Sequence, residues 1–239
     1  MNNLTFSSPD LSSFCQLNNL GLTATGQHLC AERAVIECRL TKAPEPCPKC
    51  GAAGVSRGTV DRHLAHTPYG QRPTRLLLRI RRWRCACGCF WHEDTNSAAP
   101  PRSKLSYGAI RWALAAIVLD HLSVSRVASQ LDVAWHTANN AIINEGRRLL
   151  FNDSTRFDGV TVLGVDEHVW RHTRCGDKYV TIVVDLTPVR NKNGPARLLD
   201  VLEGRSKQAF KQWLQSRPKS WRDQIESIAM DGFTGFKSA

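Results

Sequence analysis

The sequence predicts an α+β multidomain protein in which three structured modules follow an amino-terminal segment. Two groups of closely spaced cysteines frame residues 46–97, a helical spacing of apolar residues fills 103–151, and strand-like patterns run through 158–239. The chain has 239 residues and is 42% hydrophobic, which is enough for each module to bury a core of its own. Residues 1–45 have the pattern of a short structured piece, and no function follows from them.

The overall charge favours a polyanionic partner. Lys and Arg exceed Asp and Glu by 32 to 21, a formal net charge of +11, and cations that neutralise phosphates release condensed counterions. Nucleic acid is the leading candidate, and a basic protein with a well-solvated surface is the alternative. The sequence has neither a membrane-spanning apolar stretch nor a signal peptide in residues 1–10. We therefore expect a cytoplasmic location, associated with the nucleoid.

Five of the nine cysteines follow a pattern typical of a zinc ribbon. Cys47 and Cys50 form a regular knuckle with Gly51 after it, and Cys85, Cys87 and Cys89 supply a second group of thiols. Four thiolates hold Zn²⁺ tetrahedrally, and in so short a segment the metal would supply much of the folding energy. The second group is irregular, because Cys85 and Cys87 are one residue too close and Cys85 and Cys89 one too far apart.

We favour Cys87 over Cys89 as the fourth ligand, because Cys87-Gly88 repeats the arrangement of Cys50-Gly51. The alternative is that a deletion has damaged the site and that the module folds poorly or without metal. The predicted zinc ligands are Cys47, Cys50, Cys85 and Cys87, with Cys89 as the alternative. Three histidines could replace a thiolate: His63, His66 and His92.

Eight arginines and a single acid lie between the two cysteine groups. Leu76, Leu78 and Ile80 alternate with Arg79 and Arg81, which predicts a strand with one apolar face and one guanidinium face. A guanidinium face suits contact with DNA phosphates, and a solvated charged face is the alternative. The predicted DNA contacts of this module are Arg79, Arg81, Arg82 and Arg84.

The spacing in 103–151 predicts a helix-turn-helix after a first amphipathic helix. A short helix over 126–131 follows a cap at Ser123 or Ser125. Residues 132–134 form the turn before a longer helix from Trp135 to about Leu150. In this layout the second helix enters the major groove, where Asn can bond an adenine edge. The predicted DNA contacts are Trp135, His136, Asn139, Asn140, Arg147 and Arg148. The alternative is a plain helical hairpin with Trp135 in its core.

The module 158–239 contains the pattern of three strands, a helix and a fourth strand, which is typical of the first part of a ribonuclease-H-like α/β domain. The first strand delivers Asp166 and the fourth delivers Asp231. These strands lie side by side in that fold, so the two aspartates could hold divalent metal ions between them.

Two Mg²⁺ or Mn²⁺ ions at such a site would activate a water or a 3′ hydroxyl for phosphodiester cleavage and strand transfer. The alternative is that Asp166 and Asp231 only cap turns at strand ends. Four neighbours are weaker candidates: Glu167, His168, Asp185 and Asp200.

The order of these modules resembles the order found in the ISL3-type transposases of bacterial insertion sequences. The resemblance also rests on five segments: Val133 to Asn140, Gly164 to Trp170, Asp177 to Thr181, Glu203 to Lys207, and Met230 to Lys237. It implies a zinc ribbon, a helix-turn-helix that binds the element's terminal inverted repeats in double-stranded DNA, and self-association in a synaptic complex. It further implies an Asp-Asp-Glu core in which Asp166 is the first acid and Asp231 the second.

The third acid that the resemblance implies, a glutamate on a downstream helix, has no counterpart in these 239 residues. We therefore expect a truncated core that is inactive alone. Three functions remain open: a metal-dependent transposase whose core is completed by another segment, a non-catalytic repeat-binding fragment that represses or competes with an intact copy, and the inert product of a decayed gene.

Overall fold

The computed structural model describes residues 8–169, 178–204 and 206–230. Asp231, the predicted second metal-binding acid, lies outside the described residues. The chain divides into two compact units, Met1–Leu149 and Leu150–Ala239. In the described part of the chain, no helix is both long and apolar enough to cross a membrane.

A five-stranded sheet forms the first part of the first unit. Its elements are α1 (Leu11–Phe14), β1 (Leu22–Leu29), β2 (Ala34–Leu40), β3 (Val55–Tyr69), β4 (Arg72–Arg84) and β5 (Phe90–His92). The strand order is β1-β2-β4-β3, and β5 also pairs with β4. Strand β2 is parallel to β4, and the other pairs are antiparallel. Strands from residues 1–45 and the hairpin between the two cysteine groups therefore belong to one sheet.

The alternation predicted for β4 is confirmed. Leu76, Leu78 and Ile80 are buried, and Arg79 and Arg81 lie on the opposite face. The core on the buried face also contains Leu17, Leu20, Leu22, Leu64, Ala98 and Ala99. The last two belong to a segment whose composition is typical of a module boundary, yet both are fully buried. That segment packs against the sheet rather than forming an exposed linker.

Three α-helices complete the first unit: α2 (Tyr107–Val118), α3 (Val124–Gln130) and α4 (Trp135–Gly146). A π-helix, Arg147–Phe151, follows α4 in the chain. Ser123 caps α3, since its hydroxyl accepts the Arg126 amide at 3.2 Å. Asp132 takes a left-handed conformation, with φ of 51°, in the turn between α3 and α4. Helix α4 buries Ala138 and Ile142 against the other two helices.

Several contacts join these helices to the sheet. The Ala65 amide in β3 donates to the Lys104 carbonyl at 2.8 Å, and the Arg75 guanidinium in β4 lies 2.9 Å from Asp132 Oδ2. His66 is buried, with Nδ1 2.7 Å from the hydroxyl of Ser106, the residue that caps α2. Burial lowers the pKa of His66 to about 4. His66 therefore has a structural position in the core of this unit.

The second unit contains a four-stranded sheet with helices. Its elements are β6 (Val162–Val169), β7 (Tyr179–Asp185), α5 (Thr187–Arg190), β8 (Arg197–Glu203), α6 (Lys207–Gln215), α7 (Lys219–Arg222) and β9 (Ser227–Met230). The strand order is β8-β7-β6-β9. Strands β6 and β9 are parallel, with Val165 paired to Met230, which confirms the predicted neighbouring position of the first and fourth strands. Phe210, Trp213 and Trp221 pack on the sheet's core residues.

Candidate metal centre and nucleic-acid interface

Four cysteine thiols converge at the end of the hairpin away from its turn. The sulfur atoms of Cys47, Cys50, Cys85 and Cys87 all lie within 4.8 Å of one another. Cys47 Sγ is 3.6 Å from Cys87 Sγ, and Cys50 Sγ is 3.4 Å from Cys85 Sγ. Tetrahedral zinc with Zn–S bonds of about 2.3 Å separates its sulfurs by about 3.8 Å. The four thiols therefore fit a structural zinc ion in both donor chemistry and spacing.

Two tight turns place these thiols. Gly51 and Gly88 adopt left-handed conformations with φ of 73° and 83°, which glycine accepts without a steric penalty. The Cys85 amide donates to the Cys89 carbonyl at 2.9 Å, so the backbone of Cys89 closes the second turn while the thiol of Cys87 points into the group. Among the described residues, neither Cys89 nor the three candidate histidines belong to the four-residue group.

Hydrogen bonds within the four-thiol group act unevenly on its members: those with Cys85, Cys87 and Cys47 raise the pKa of Cys50 to about 12, whereas the pKa of Cys47 falls. Burial opposes the ionisation of Cys47, but hydrogen bonds from the amides of Lys49 and Cys50 outweigh that effect and lower the pKa of Cys47 to about 6. The thiolate is the form that binds metal.

Half of the eight arginines between the cysteine groups have partners within the protein. Arg79 Nε lies 2.6 Å from Glu37 Oε1, and its Nη1 lies 2.7 Å from Asp61 Oδ2. Arg81 Nε donates to Glu93 Oε1 at 2.6 Å. Glu37 and Glu93 lie outside the segment between the cysteine groups, which is why a count within that segment underestimates the compensating acids.

Arg62 and Arg75 also have structural partners. Arg62 donates to the carbonyls of Pro100 and Ser103 at 3.0 and 3.1 Å, and Arg75 binds Asp132. The other four arginines are exposed and have no ion pair within residues 8–169, 178–204 and 206–230: Arg57, Arg72, Arg82 and Arg84. Of the four arginines predicted to contact DNA, Arg82 and Arg84 thus keep uncompensated charge, and Arg79 and Arg81 do not.

The outer face of α4 carries most of the remaining predicted contacts. Trp135 is 45% exposed, so the alternative that places it in a helical core is wrong. His136, Asn140 and Arg147 are exposed, and their spacing puts them opposite the buried face of the helix. Asn139 is half-buried at the flank.

Arg147 and its neighbour Arg148 differ in their contacts. Both nitrogens of the Arg148 fork, Nε and Nη2, lie 2.8 Å from the carboxylate oxygens of Glu145, and this hydrogen bonding lowers the pKa of Glu145. Arg147 has no ion pair in the described part of the chain. Arg147 is therefore the more available cation.

Asp166 is exposed on β6, and its Oδ1 accepts the Glu167 amide at 2.8 Å. Val165, one residue before Asp166, pairs with Met230, one residue before Asp231 in the sequence. The two weaker acidic candidates on neighbouring strands have structural contacts. Asp185 is fully buried and receives Arg197 Nη2 at 2.6 Å, and Asp200 accepts the Trp213 indole N–H at 2.8 Å.

Two family models match the chain. One, described as a transposase, matches residues 163–239, and the other, described as the zinc-finger of transposase IS204/IS1001/IS1096/IS1165, matches residues 43–89. The chain belongs to the ISL3-type transposases. This transposase functions in DNA transposition, and it binds DNA. Searches of curated proteins and of solved structures gave no match.

The two matched segments of the transposase contain its candidate metal centres. The zinc-finger match includes all four clustered cysteines, and the transposase match includes Asp166. In the sequence, helices α2 to α4 lie between the two matched segments.

Sequence reasoning missed one exposed group in this transposase. Phe90 and His92 of β5 project from the sheet next to Arg84 and Arg82. The alternation of Phe90 and His92 with Trp91 could have indicated a short strand, but three residues after a cysteine group give a weak signal.

Proposed function

We propose that this transposase recognises the terminal inverted repeats of its element through a helix-turn-helix formed by α3 and α4. The observation that carries the proposal is the outer face of α4. It presents His136 and Asn140 to solvent, with Trp135 at its start, and the exposed Arg147 follows directly after its last residue. A surface with amide, imidazole and guanidinium groups along one helix suits base edges and phosphates of the major groove.

The packing of the two helices supports this proposal. Residues 131–134 separate α3 from α4, and the small Ala128 is buried at their contact. The turn is compact because Asp132 adopts its left-handed conformation there. A second helix held in this way would project from the protein into a groove.

A structural zinc ion held by Cys47, Cys50, Cys85 and Cys87 belongs to the same proposal. The metal would join the two knuckles and so fix the end of the hairpin that carries Arg82 and Arg84. These arginines would contact phosphates, which position a protein on DNA without reading its sequence.

We further propose that the second unit is the first part of a ribonuclease-H-like domain with Asp166 and Asp231 as metal-binding acids. The strand order β8-β7-β6-β9, with β6 and β9 parallel, supports this assignment. Carboxylates suit Mg²⁺ or Mn²⁺, which would supply the activated nucleophile and stabilise the leaving oxygen in phosphodiester cleavage and strand transfer. Asp166 would hold the metal from the exposed side of β6.

Binding to an end of the element tests the first proposal. Affinity is measured against the repeat duplex and a shuffled duplex over a salt series. Asn140→Ala should reduce the preference for the repeat by about fivefold to a hundredfold. Arg147→Ala should weaken binding to both duplexes and lower the slope of log affinity against log salt concentration, the salt slope, by about one. Arg148→Ala should change this slope less, because Glu145 already binds the guanidinium of Arg148. Equal affinity of the unmodified protein for repeat and shuffled DNA would refute repeat recognition.

The catalytic assignment needs a separate measurement. Asp166→Asn should leave the affinity for the repeat within about twofold, while any Mg²⁺-dependent cleavage by an assembly that contains this chain should fall below detection. Cleavage that persists in the variant would exclude Asp166 as a metal-binding acid.

A further inference from the structure

We call the end of the β3–β4 hairpin that adjoins the four thiols the zinc end. It carries a second exposed surface, separate from α4. In the register of β4 with β5, Arg82 lies opposite His92 and Arg84 opposite Phe90. On the other edge of β4, Val55 of β3 lies opposite Arg84. Residues directly opposite one another in antiparallel strands share a face of the sheet. We call this face the ribbon platform; it consists of Val55, Arg82, Arg84, Phe90 and His92.

The ribbon platform is apolar as well as basic. All five side chains are exposed, and Phe90 and Val55 are 59% and 64% exposed. The same face of β4 bears Leu76, Leu78 and Ile80 nearer the turn, where the core covers it. Exposed apolar side chains that are grouped with cations on a flat surface are typical of a binding site rather than of scattered surface residues.

Two of the three arginines of β4 that have no ion pair among the described residues lie on the ribbon platform, and the third, Arg72, lies at the turn. Arg79 and Arg81, on the opposite face, are ion-paired with Glu37, Asp61 and Glu93. Arg82 and Arg84 have no such partner in the part of the chain that the structure describes. The positive charge of the ribbon platform is therefore available to a polyanion. On the opposite face, acidic side chains of the protein already neutralise Arg79 and Arg81.

One contact on the platform indicates which polyanion. The Arg84 guanidinium carbon lies 5.3 Å from the centroid of the Phe90 ring, so a planar cation and an aromatic ring are held together at the surface. Unstacked nucleobases pack on aromatic rings and guanidinium planes, while adjacent arginines contact the backbone phosphates. In an intact duplex the faces of the bases are not accessible to such a pair.

We infer that the ribbon platform binds single-stranded DNA, such as an unpaired stretch at a cut or frayed end of the element. Arg82 contacts a phosphate, and the Phe90–Arg84 pair packs against an unstacked base. The inference rests on the proposed DNA-binding function but not on α4, and it assigns to the zinc ribbon a preference that a phosphate-only contact would lack.

The test uses the full zinc-loaded chain and fluorescence anisotropy. The probes are a blunt repeat duplex, the same duplex with a single-stranded overhang, and a single-stranded oligonucleotide. Phe90→Ala should weaken binding to the overhang and the single strand by about tenfold or more and change binding to the blunt duplex by less than about twofold. Phe14→Ala, which removes another exposed phenyl group of the same unit, serves as the control and should change neither.

Arginine variants separate charge from stacking. Arg82→Ala should weaken single-strand binding and lower its salt slope, whereas Arg81→Ala, on the same strand but paired with Glu93, should leave the slope unchanged. Zinc content measured for every variant shows that the knuckles are intact.

An equal effect of Phe90→Ala on all three probes, or no effect, would overturn the inference. Failure of the α4 proposal is a different result, since Asn140→Ala would then leave repeat preference unchanged while Phe90→Ala still lowers single-strand binding.

Discussion

The two ends of the β3–β4 hairpin have the same secondary structure but are held by different interactions. Near the turn, Leu64, Ala65 and His66 of β3 are buried against the core and the helices. At the zinc end, residues 55–61 of β3 are exposed, and the clustered thiols lie beyond the strands. Hydrophobic burial thus stabilises one end, and metal coordination is expected to stabilise the other. A long hairpin can therefore extend a basic surface away from its core.

Zinc removal should separate the two ends most strongly. A chelator should abolish the hydrogen-exchange protection of residues 55–61 and leave that of 64–69 largely intact, because structural zinc contributes on the order of 10 kcal/mol in small ribbons and only the first segment depends on it. Hydrogen exchange with mass spectrometry measures both segments in one experiment. Loss of protection at both ends together would show that the hairpin is a single cooperative unit.

Serine variants of the second cysteine group identify the fourth ligand. Cys87→Ser should lower the zinc content well below one ion per chain, whereas Cys89→Ser should retain one, because the Cys89 thiol lies outside the four-thiol group. The reverse pattern would assign the site to Cys89.

The turn end should respond to pH through His66. The pKa of His66 is about 4 in the folded protein, below the ordinary value of 6.5, so the unfolded chain takes up the proton first as pH falls. Neutral His66 therefore contributes fully to the stability of the folded protein above about pH 6.5. This contribution, about 3 kcal/mol in total, is lost as the pH falls from 6.5 through 4.

The measurement is the opening free energy of residues 64–69 from hydrogen exchange between pH 7 and 4. His66→Asn lacks this titration, and the carboxylates titrate in both proteins, so the difference between wild type and variant should shrink as pH falls. A difference that is constant with pH would contradict the assignment.

Much of the fold follows from local patterns in the sequence. The alternation in β4 predicted which side chains face the core, and Ser123 and the turn at Asp132 gave the bounds of α3 and α4 within a few residues. The pairing of β2 with β4 was not predictable, because periodicity reports the buried face of a strand but not its neighbours. For that reason the sequence predicted residues 1–45 as a segment separate from the ribbon, although both contribute strands to one sheet.

The candidate sites were predictable to the extent that they depend on spacing. The glycine after Cys87 favoured the same thiol that the structure places in the four-thiol group, because a left-handed turn residue is a local requirement. The availability of each arginine was not predictable, since Glu37 and Glu93 reach Arg79 and Arg81 only through the folded sheet. Charge counts along a segment therefore identify a basic module without identifying the cations that are free to bind DNA.

The smallest expected effect concerns Arg75, in the half of β4 nearer the turn. Its guanidinium holds Asp132 in the turn before α4, and because both groups are partly exposed, the pair should contribute no more than about 1 kcal/mol to stability. We predict that this pair positions α4 on the sheet.

Asp132→Asn, which removes the charge but accepts the left-handed conformation of the turn, distinguishes positioning from simple electrostatics. Removal of an acid should tighten binding to any DNA, but if the pair positions α4, the preference for the repeat over a shuffled duplex should fall by about threefold to tenfold while the salt slope stays the same. Asp120→Asn, which removes the charge of an exposed acid just after α2, is the matched control. Equal tightening on both duplexes in both variants would show that the Arg75–Asp132 pair has no positioning role, and the turn end would then act on DNA only through its stability.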